Sequence, residues 1–309
     1  MKILVTGGAG FIGSDLVSRL VKKDNEVTVL DNFKFGNKID KDIIKSINLI
    51  EGDVRNELDV FRAAEHCEII YHYAAILGVD IVADNPVEAM DTEVLGMQNV
   101  AKAAIRFGSK KIIYASTSGI YGKSEIEKAV EEDFDVSPKS SYAIAKRYNE
   151  IYLASLFEEK NINSIALRFF NVYGPKQDNR MVIPRFIKQA RNNIPLTVYG
   201  DGNQTRDFTY IDDVTEAALR LSNNIDGHHI FNVSNNKEYT IKNLAEIILK
   251  IINNKGIINF IDTPKLRYDF EVERRFGSSE KLKNFTNFKP NTPLEIGINK
   301  ICESGYNIT

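Results

Sequence analysis

The sequence predicts an α/β fold: a doubly wound parallel sheet with a smaller lobe formed by the C-terminal part of the chain. Three observations carry that expectation. Short apolar runs alternate with segments of helical periodicity through the first half of the chain. The first run passes directly into glycines, and the second ends on an aspartate. Pro, Gly, Asn and basic residues then crowd residues 175–206, where the alternation breaks.

Lys2 to Thr6 is a compact apolar strand, followed by Gly7-Gly8-Ala9-Gly10-Phe11-Ile12-Gly13 and a helical pattern to Lys22 with Leu16, Val17, Leu20 and Val21 in phase. Strand, glycine turn and helix together give the glycine string its meaning. Glycines permit a tight turn and let the backbone approach a pyrophosphate, which sits on the helix N-terminus. A second strand, Glu26 to Leu30, ends in Asp31, 18 residues after Gly13. That is near the ~20-residue interval of the acid that bonds a ribose 2'-hydroxyl. A carboxylate there repels a 2'-phosphate, so NAD is expected over NADP. The competing reading has Asp31 and Asn32 merely capping a loop. A third strand, Ile47 to Glu51, leads into Gly52-Asp53-Val54, and a fourth, Glu68 to Tyr73, into Ala74-Ala75. In a parallel sheet the ligand lies outside the C-terminal strand ends. Asp53, Val54, Ala74 and Ala75 all follow such ends, and small alanines suit a ligand passing close to backbone.

A helix is expected from about Asp91 to Phe107, with Val94, Val100, Ala101 and Ala104 as its buried stripe. A fifth strand, Lys111 to Ala115, delivers Ser116-Thr117-Ser118-Gly119-Ile120-Tyr121-Gly122; taken alone, these hydroxyls read as turn formers. Ser140-Ser141-Tyr142-Ala143-Ile144-Ala145-Lys146-Arg147 then opens another helix. Tyr142 comes 25 residues after Thr117, so that helix can return beside the strand end. Tyr142 and Lys146 stand one turn apart on the same face. A free tyrosine has a pKa of about 10, and a neighbouring ammonium lowers it. The expectation is a phenol primed to exchange a proton with an alcohol. The spacing itself is loose, and a surface tyrosine beside a solvated lysine is its bland alternative.

The last third is expected to hold a helix from Val182 to Arg191, a strand from His229 to Val233 and a helix from Ile241 to Ile252. Leu244, Ile247, Ile248 and Ile251 form the last helix's core face, and Asn253 to Gly256 end it as a turn. Most of Arg180, Arg185 and Arg191 read as a solvated face. This part is too small to fold alone and is expected to cap the nucleotide end of a cleft.

Taken together, Gly7 to Gly13, Asp31, Gly52-Asp53-Val54, the Ser-Thr-rich strand end closed by Tyr121-Gly122, and Tyr142 with Lys146 resemble an extended short-chain dehydrogenase/reductase. More narrowly they resemble the NAD-dependent nucleotide-sugar epimerase/dehydratase family, most like its UDP-sugar 4-epimerases. The likeness continues through Leu167 to Pro175, Val198 to Gly202 and Thr205 to Val214, fades after about residue 235, and returns in Thr292 to Gly297. It implies a Rossmann domain of residues 1–175 with about 208–234, and a nucleotide-sugar lobe of 176–207 with 235–309. It also implies NAD bound by Gly7, Gly10, Phe11, Ile12, Gly13, Asp31, Asn32, Asp53, Val54, Ala74 and Ala75. By the same likeness Thr117 bonds the reacting oxygen, Tyr142 is the acid/base and Lys146 bonds the nicotinamide ribose. Asn171 and Arg206, with Arg267 as a further contact, hold the substrate diphosphate, a task suited to arginine's two-pronged fork. A homodimer through the helices at 91–107 and 142–160 is implied as well.

The resemblance covers several reactions. Dehydratases of the family carry an Asp-Glu pair after the threonine, and decarboxylases a Glu at the second of those places. Here they are Ser118 and Gly119. Epimerisation of a UDP-sugar at C4 through a 4-keto intermediate is therefore expected. A C4 oxidase or ketosugar reductase is the enzymatic rival, and a non-catalytic NAD-binding sensor or scaffold the rival of another class. Glu93 stands before Val94-Leu95-Gly96 where relatives have Asn, and is read as a surface helix residue in preference to a sugar contact. Ile76 to Asp80 also departs from the galactose epimerase pattern.

Composition narrows the partners. The 309 residues carry a formal net charge of -2, giving no reason to expect nucleic acid or an anionic membrane. Cys67 and Cys302 read as unpaired thiols of a reducing compartment. His66, His72, His228 and His229 form no metal-ligand spacing, so no metal is expected. No apolar run approaches the ~20 residues of a membrane span. A cytoplasmic protein is the expectation.

Overall fold

Parallel strands covered by helices on both faces must be apolar on both faces, and this requirement sets the architecture. A computed structural model describes residues 1–305 apart from 77, 123–127, 224 and 264–271. In chain order the first half contains β1 (Lys2–Thr6), α1 (Phe11–Val21), β2 (Glu26–Asp31), α2 (Lys41–Ile44), β3 (Ile47–Glu51), α3 (Glu57–Ala64), β4 (Ile69–His72), α4 (Val79–Asp84), α5 (Pro86–Phe107), β5 (Lys111–Thr117) and α6 (Ser141–Lys160). The second half contains β6 (Asn163–Phe169), β7 (Val172–Tyr173), α7 (Val182–Arg191), β8 (Leu196–Tyr199), β9 (Thr205–Asp207), β10 (Thr209–Tyr210), α8 (Ile211–Ser222), β11 (His228–Val233), β12 (Glu238–Thr240), α9 (Ile241–Ile251), β13 (Ile258–Ile261), α10 (Glu280–Thr286) and α11 (Leu294–Glu303).

Seven strands form one all-parallel sheet in the order β11-β6-β5-β4-β1-β2-β3. Ile3 and Val5 of β1 point into a layer with Leu16, Val17, Val214 and Ala217 from α1 and α8. Leu4 between them faces Val60, Met97, Val100 and Leu153 from α3, α5 and α6. The chain reverses winding direction between β1 and β4, and the cleft opens over their C-terminal ends, as expected at such a switch point.

A third core gathers Tyr173, Phe186, Val198, Phe208, Leu244, Ile248 and Leu294 around α7, α9 and α11. Two-stranded pairings tie this lobe together: β9 with β12 antiparallel, and β8 with β13 parallel. Asp207 fastens it to the sheet. Its carboxylate accepts N–H bonds from Asn235 and Asn236, just beyond β11, both at 2.9 Å, and from Gly277 at 3.3 Å. α10 returns to the sheet layer, where Leu282 joins the α1–α8 core.

Several boundaries differ from expectation. The helix expected from Asp91 begins at Pro86, a residue whose missing N–H and fixed φ suit the first helical position. Val94 of its expected stripe is only partly buried, whereas Thr92, Glu93, Gly96 and Met97 are buried. β5 runs on to Thr117, so the threonine is the strand's last residue. Cys67 and Cys302 are unpaired. No helix among the described residues is long and apolar enough to cross a membrane.

Candidate active site

The glycine turn places one wall of the cleft. Gly7 has φ +68, and a Cβ there would stand 2.6 Å from the Ala74 backbone nitrogen at the end of β4. Only glycine lets the two strand ends close up this far. The turn is closed by Gly10 N–H donating to Gly7 O at 3.1 Å, and no side chain caps the N-terminus of α1. The helix start is thus left as a site for an anion. Asp31 anchors the turn from β2: one carboxylate oxygen accepts from Ala9 N–H and the other from Phe33 N–H, both at 2.9 Å. Each oxygen keeps a further lone pair for a ribose hydroxyl. Burial pushes the Asp31 carboxyl up, opposed by these backbone bonds. Asp53 is engaged by Arg55 at 2.6 Å, and that bond holds its carboxyl below the usual range. Gly7, Asp31, Asn32, Asp53, Ala74 and Ala75 all line one cleft. An uncapped helix start, a close-approach glycine and a carboxylate at the ribose distance fit a dinucleotide.

Thr117, Tyr142, Lys146 and Asn171 line the same cleft. Ser140 caps α6 by accepting from Ala143 N–H at 3.1 Å, so that Tyr142 is the second residue of the helix. The Thr117 hydroxyl accepts from Gly119 N–H at 3.1 Å and faces the Tyr142 phenol closely enough to favour its ionised form. One turn on, Lys146 Nζ lies 5.3 Å from the centroid of the Tyr142 ring.

Lys146 is buried and donates to Ala115 O at 2.7 Å. It also meets Glu93 Oε1 at 2.9 Å. Two corrections follow. Glu93 is not a surface residue: it is 0 % exposed, it is absent from the cleft wall, and its second oxygen accepts from Tyr114 Oη at 2.9 Å. Nor is the phenol acidified in this state. Burial, and next the Glu93 carboxylate, push Tyr142 well above the tyrosine range; only the Thr117 hydroxyl opposes them.

The expected diphosphate contacts are dispersed. Asn171 stands on the cleft wall, whereas Arg206 lies off it, with Nη1 donating to the Thr205 and Val272 carbonyls, each at 2.8 Å. Arg267 falls outside the described residues. Arg275 lines the cleft and was missed from the sequence, where the Arg274-Arg275 doublet is its sole trace. A family model described as "NAD dependent epimerase/dehydratase family" matches residues 3–234.

The chain belongs to the NAD-dependent epimerase/dehydratase family. NAD is accordingly the cofactor of this epimerase/dehydratase. It is 33% identical over 312 residues to a UDP-N-acetyl-alpha-D-glucosaminuronate decarboxylase of Bacillus cytotoxicus, covering 98% of this chain and 97% of that protein. A putative UDP-glucose 4-epimerase of Methanocaldococcus jannaschii is 34% identical over 305 residues, covering 97% and 96% respectively. The UDP-glucose 4-epimerase of Thermotoga maritima, solved with UDP-glucose, matches with a TM-score of 0.92 at 29% identity, over 98% of each chain.

Proposed function

We propose that this protein epimerises a UDP-sugar at C4 through a transient 4-keto sugar. Tyr142 takes the proton of the C4 hydroxyl and later returns it, Thr117 holds the reacting oxygen, and Lys146 binds the nicotinamide ribose. NAD, when bound, would supply the hydride acceptor and donor that this exchange at C4 needs. The reaction is redox-neutral, so the cofactor stays bound between turnovers.

The observation that carries this reading is what stands next to Thr117. Tyr142 faces Thr117, while the two residues that follow the threonine are a buried serine and a glycine. A Cβ at Gly119 would lie 3.3 Å from Thr117 Oγ1, so the position adjoins the threonine hydroxyl and, being glycine, brings no acid or base to it. Dehydration and decarboxylation need such a group, whereas inversion does not. Asn171 and Arg275 on the wall, together with Arg206 and Arg267, are our candidates for the diphosphate. The working division is residues 1–175 with 208–234 for the cofactor and 176–207 with 235–309 for the nucleotide sugar, in a cytoplasmic protein. A homodimer is supported by Leu95 on α5 and Ile144, Tyr148 and Ile151 on α6, which leave an apolar face open.

Decarboxylation is the second reading, favoured by the Bacillus cytotoxicus relative. The deciding experiment incubates the purified protein with UDP-glucose, UDP-N-acetylglucosamine and their uronates, without added nicotinamide. Interconversion of C4 epimers with no carbon dioxide released is the expected result. Carbon dioxide from a uronate, or turnover only with added nicotinamide, overturns the epimerase reading.

A further inference from the structure

Glu93 is a carboxylate on α5 with 0 % exposure. Its surroundings are fully specified. Oε1 meets Lys146 Nζ at 2.9 Å, Oε2 accepts from Tyr114 Oη at 2.9 Å, and its backbone carbonyl accepts from Asn149 Nδ2 at 3.1 Å. Asn149 also donates to Tyr114 Oη at 2.9 Å, closing a ring of contacts across α5, β5 and α6. A buried ion pair is a poor source of stability, because desolvation offsets most of its attraction. Its presence one helical turn below Tyr142 calls for another account.

We propose that Glu93 is a positioning residue for the Tyr142–Lys146 pair: it fixes the lysine side chain and cancels the lysine's field at the phenol. The inference rests on the role given to Tyr142 above. Whether the shared proton sits on nitrogen or on oxygen, the Lys146–Glu93 pair carries no net charge. Tyr142 therefore faces a dipole instead of a bare cation.

The other groups around the pair do not restore the cation. His72 on β4 stacks on Tyr114 and is pushed down to about 3 by burial, so it is neutral at ordinary pH. Glu150 on α6 is occupied by Arg168 at 2.9 Å. Tyr114 on β5 is itself raised, by burial and next by Glu93. Lys146 donates to Ala115 O and meets Glu93, leaving its third proton for the ribose.

The test reads the phenol directly. Tyrosinate absorbance is titrated in the NAD-loaded protein and in its Tyr142→Phe variant, and the difference is assigned to Tyr142. The same difference is then taken in a Glu93→Gln background and in a Lys146→Met/Glu93→Gln double variant. Removing a negative charge at this range should lower the Tyr142 midpoint by about 1 pH unit or more. The acid limb of kcat should move down with it while KM changes little. The double variant removes both charges of the pair and should leave the midpoint within about 1 unit of wild type. An unchanged midpoint in Glu93→Gln, or a rise of more than about 1 unit in the double variant, overturns the proposal. If Glu93→Gln alone does not fold, the double variant, which leaves no unpaired buried charge, decides by itself. The absorbance needs no sugar, so failure to turn over any nucleotide sugar would sink the epimerase reading and leave this one standing.

Discussion

Arg168 on β6 clasps Glu150 on α6 through two bonds, Nε to Oε1 at 2.9 Å and Nη2 to Oε2 at 3.0 Å. Both side chains are buried, and Ser116 on β5 donates to the same carboxylate at 2.6 Å. The strand end that carries Thr117 is thus tied to the helix that carries Tyr142. Burial would raise the Glu150 carboxyl, but the Arg168 bonds, with Ser116 and Arg147, outweigh it and hold it below the usual range. Glu150→Gln leaves the guanidinium buried without its counter-charge and should cost about 3–5 kcal/mol. A lowered folded-state value means that the stabilisation is complete above the unfolded glutamate pKa of about 4.3 and fades as the pH falls further. Urea unfolding of wild type and Glu150→Gln should therefore differ most near neutrality and converge in acid. A pH-independent gap would contradict this.

Tyr142→Phe keeps the ring and removes the proton carrier. Turnover on the best UDP-sugar should fall by about 10²–10⁴-fold. Nucleotide binding, read by calorimetry with UDP, should stay within a few-fold of wild type. Retained turnover would remove Tyr142 from the chemistry.

Gly7→Ala puts a Cβ against the Ala74 backbone at a positive φ. The expected outcome is protein that releases little NAD on denaturation, compared with near-stoichiometric release from wild type. A full complement of cofactor in the variant would show that the turn tolerates widening.

Ile151 is 57% exposed on the open face of α6. Ile151→Glu should convert a dimeric species to a monomer in light scattering, with the circular dichroism spectrum unchanged. A wild type that already scatters as a monomer would end the dimer proposal.

Much of the sheet was legible because parallel strands must be apolar on both faces. Ile3, Leu4 and Val5 declare a strand without any alternation. The glycine turn was legible for a similar reason, since no other residue type satisfies that backbone. Glu93 was not. A carboxylate on an amphipathic helix is assigned outward by default, and its partner lies on another helix, at Lys146. Glu150 and Arg168 were hidden in the same way, as charges whose burial depends on long-range pairing. Arg206 shows the converse: its motif matched, but it lies off the cleft wall and its Nη1 donates to backbone carbonyls.

Asp207 gathers amides from beyond β11 and from Gly277, and its side chain has no exposure. Three chain segments, one of them running straight on from β11 of the main sheet, are pinned at a single point. Such a joint resists swinging, because any rotation of the lobe against the sheet would strip buried amides of their acceptor. The groove then meets its ligand already shaped, and the on-rate should track solvent viscosity and ionic strength instead of a slow closing step.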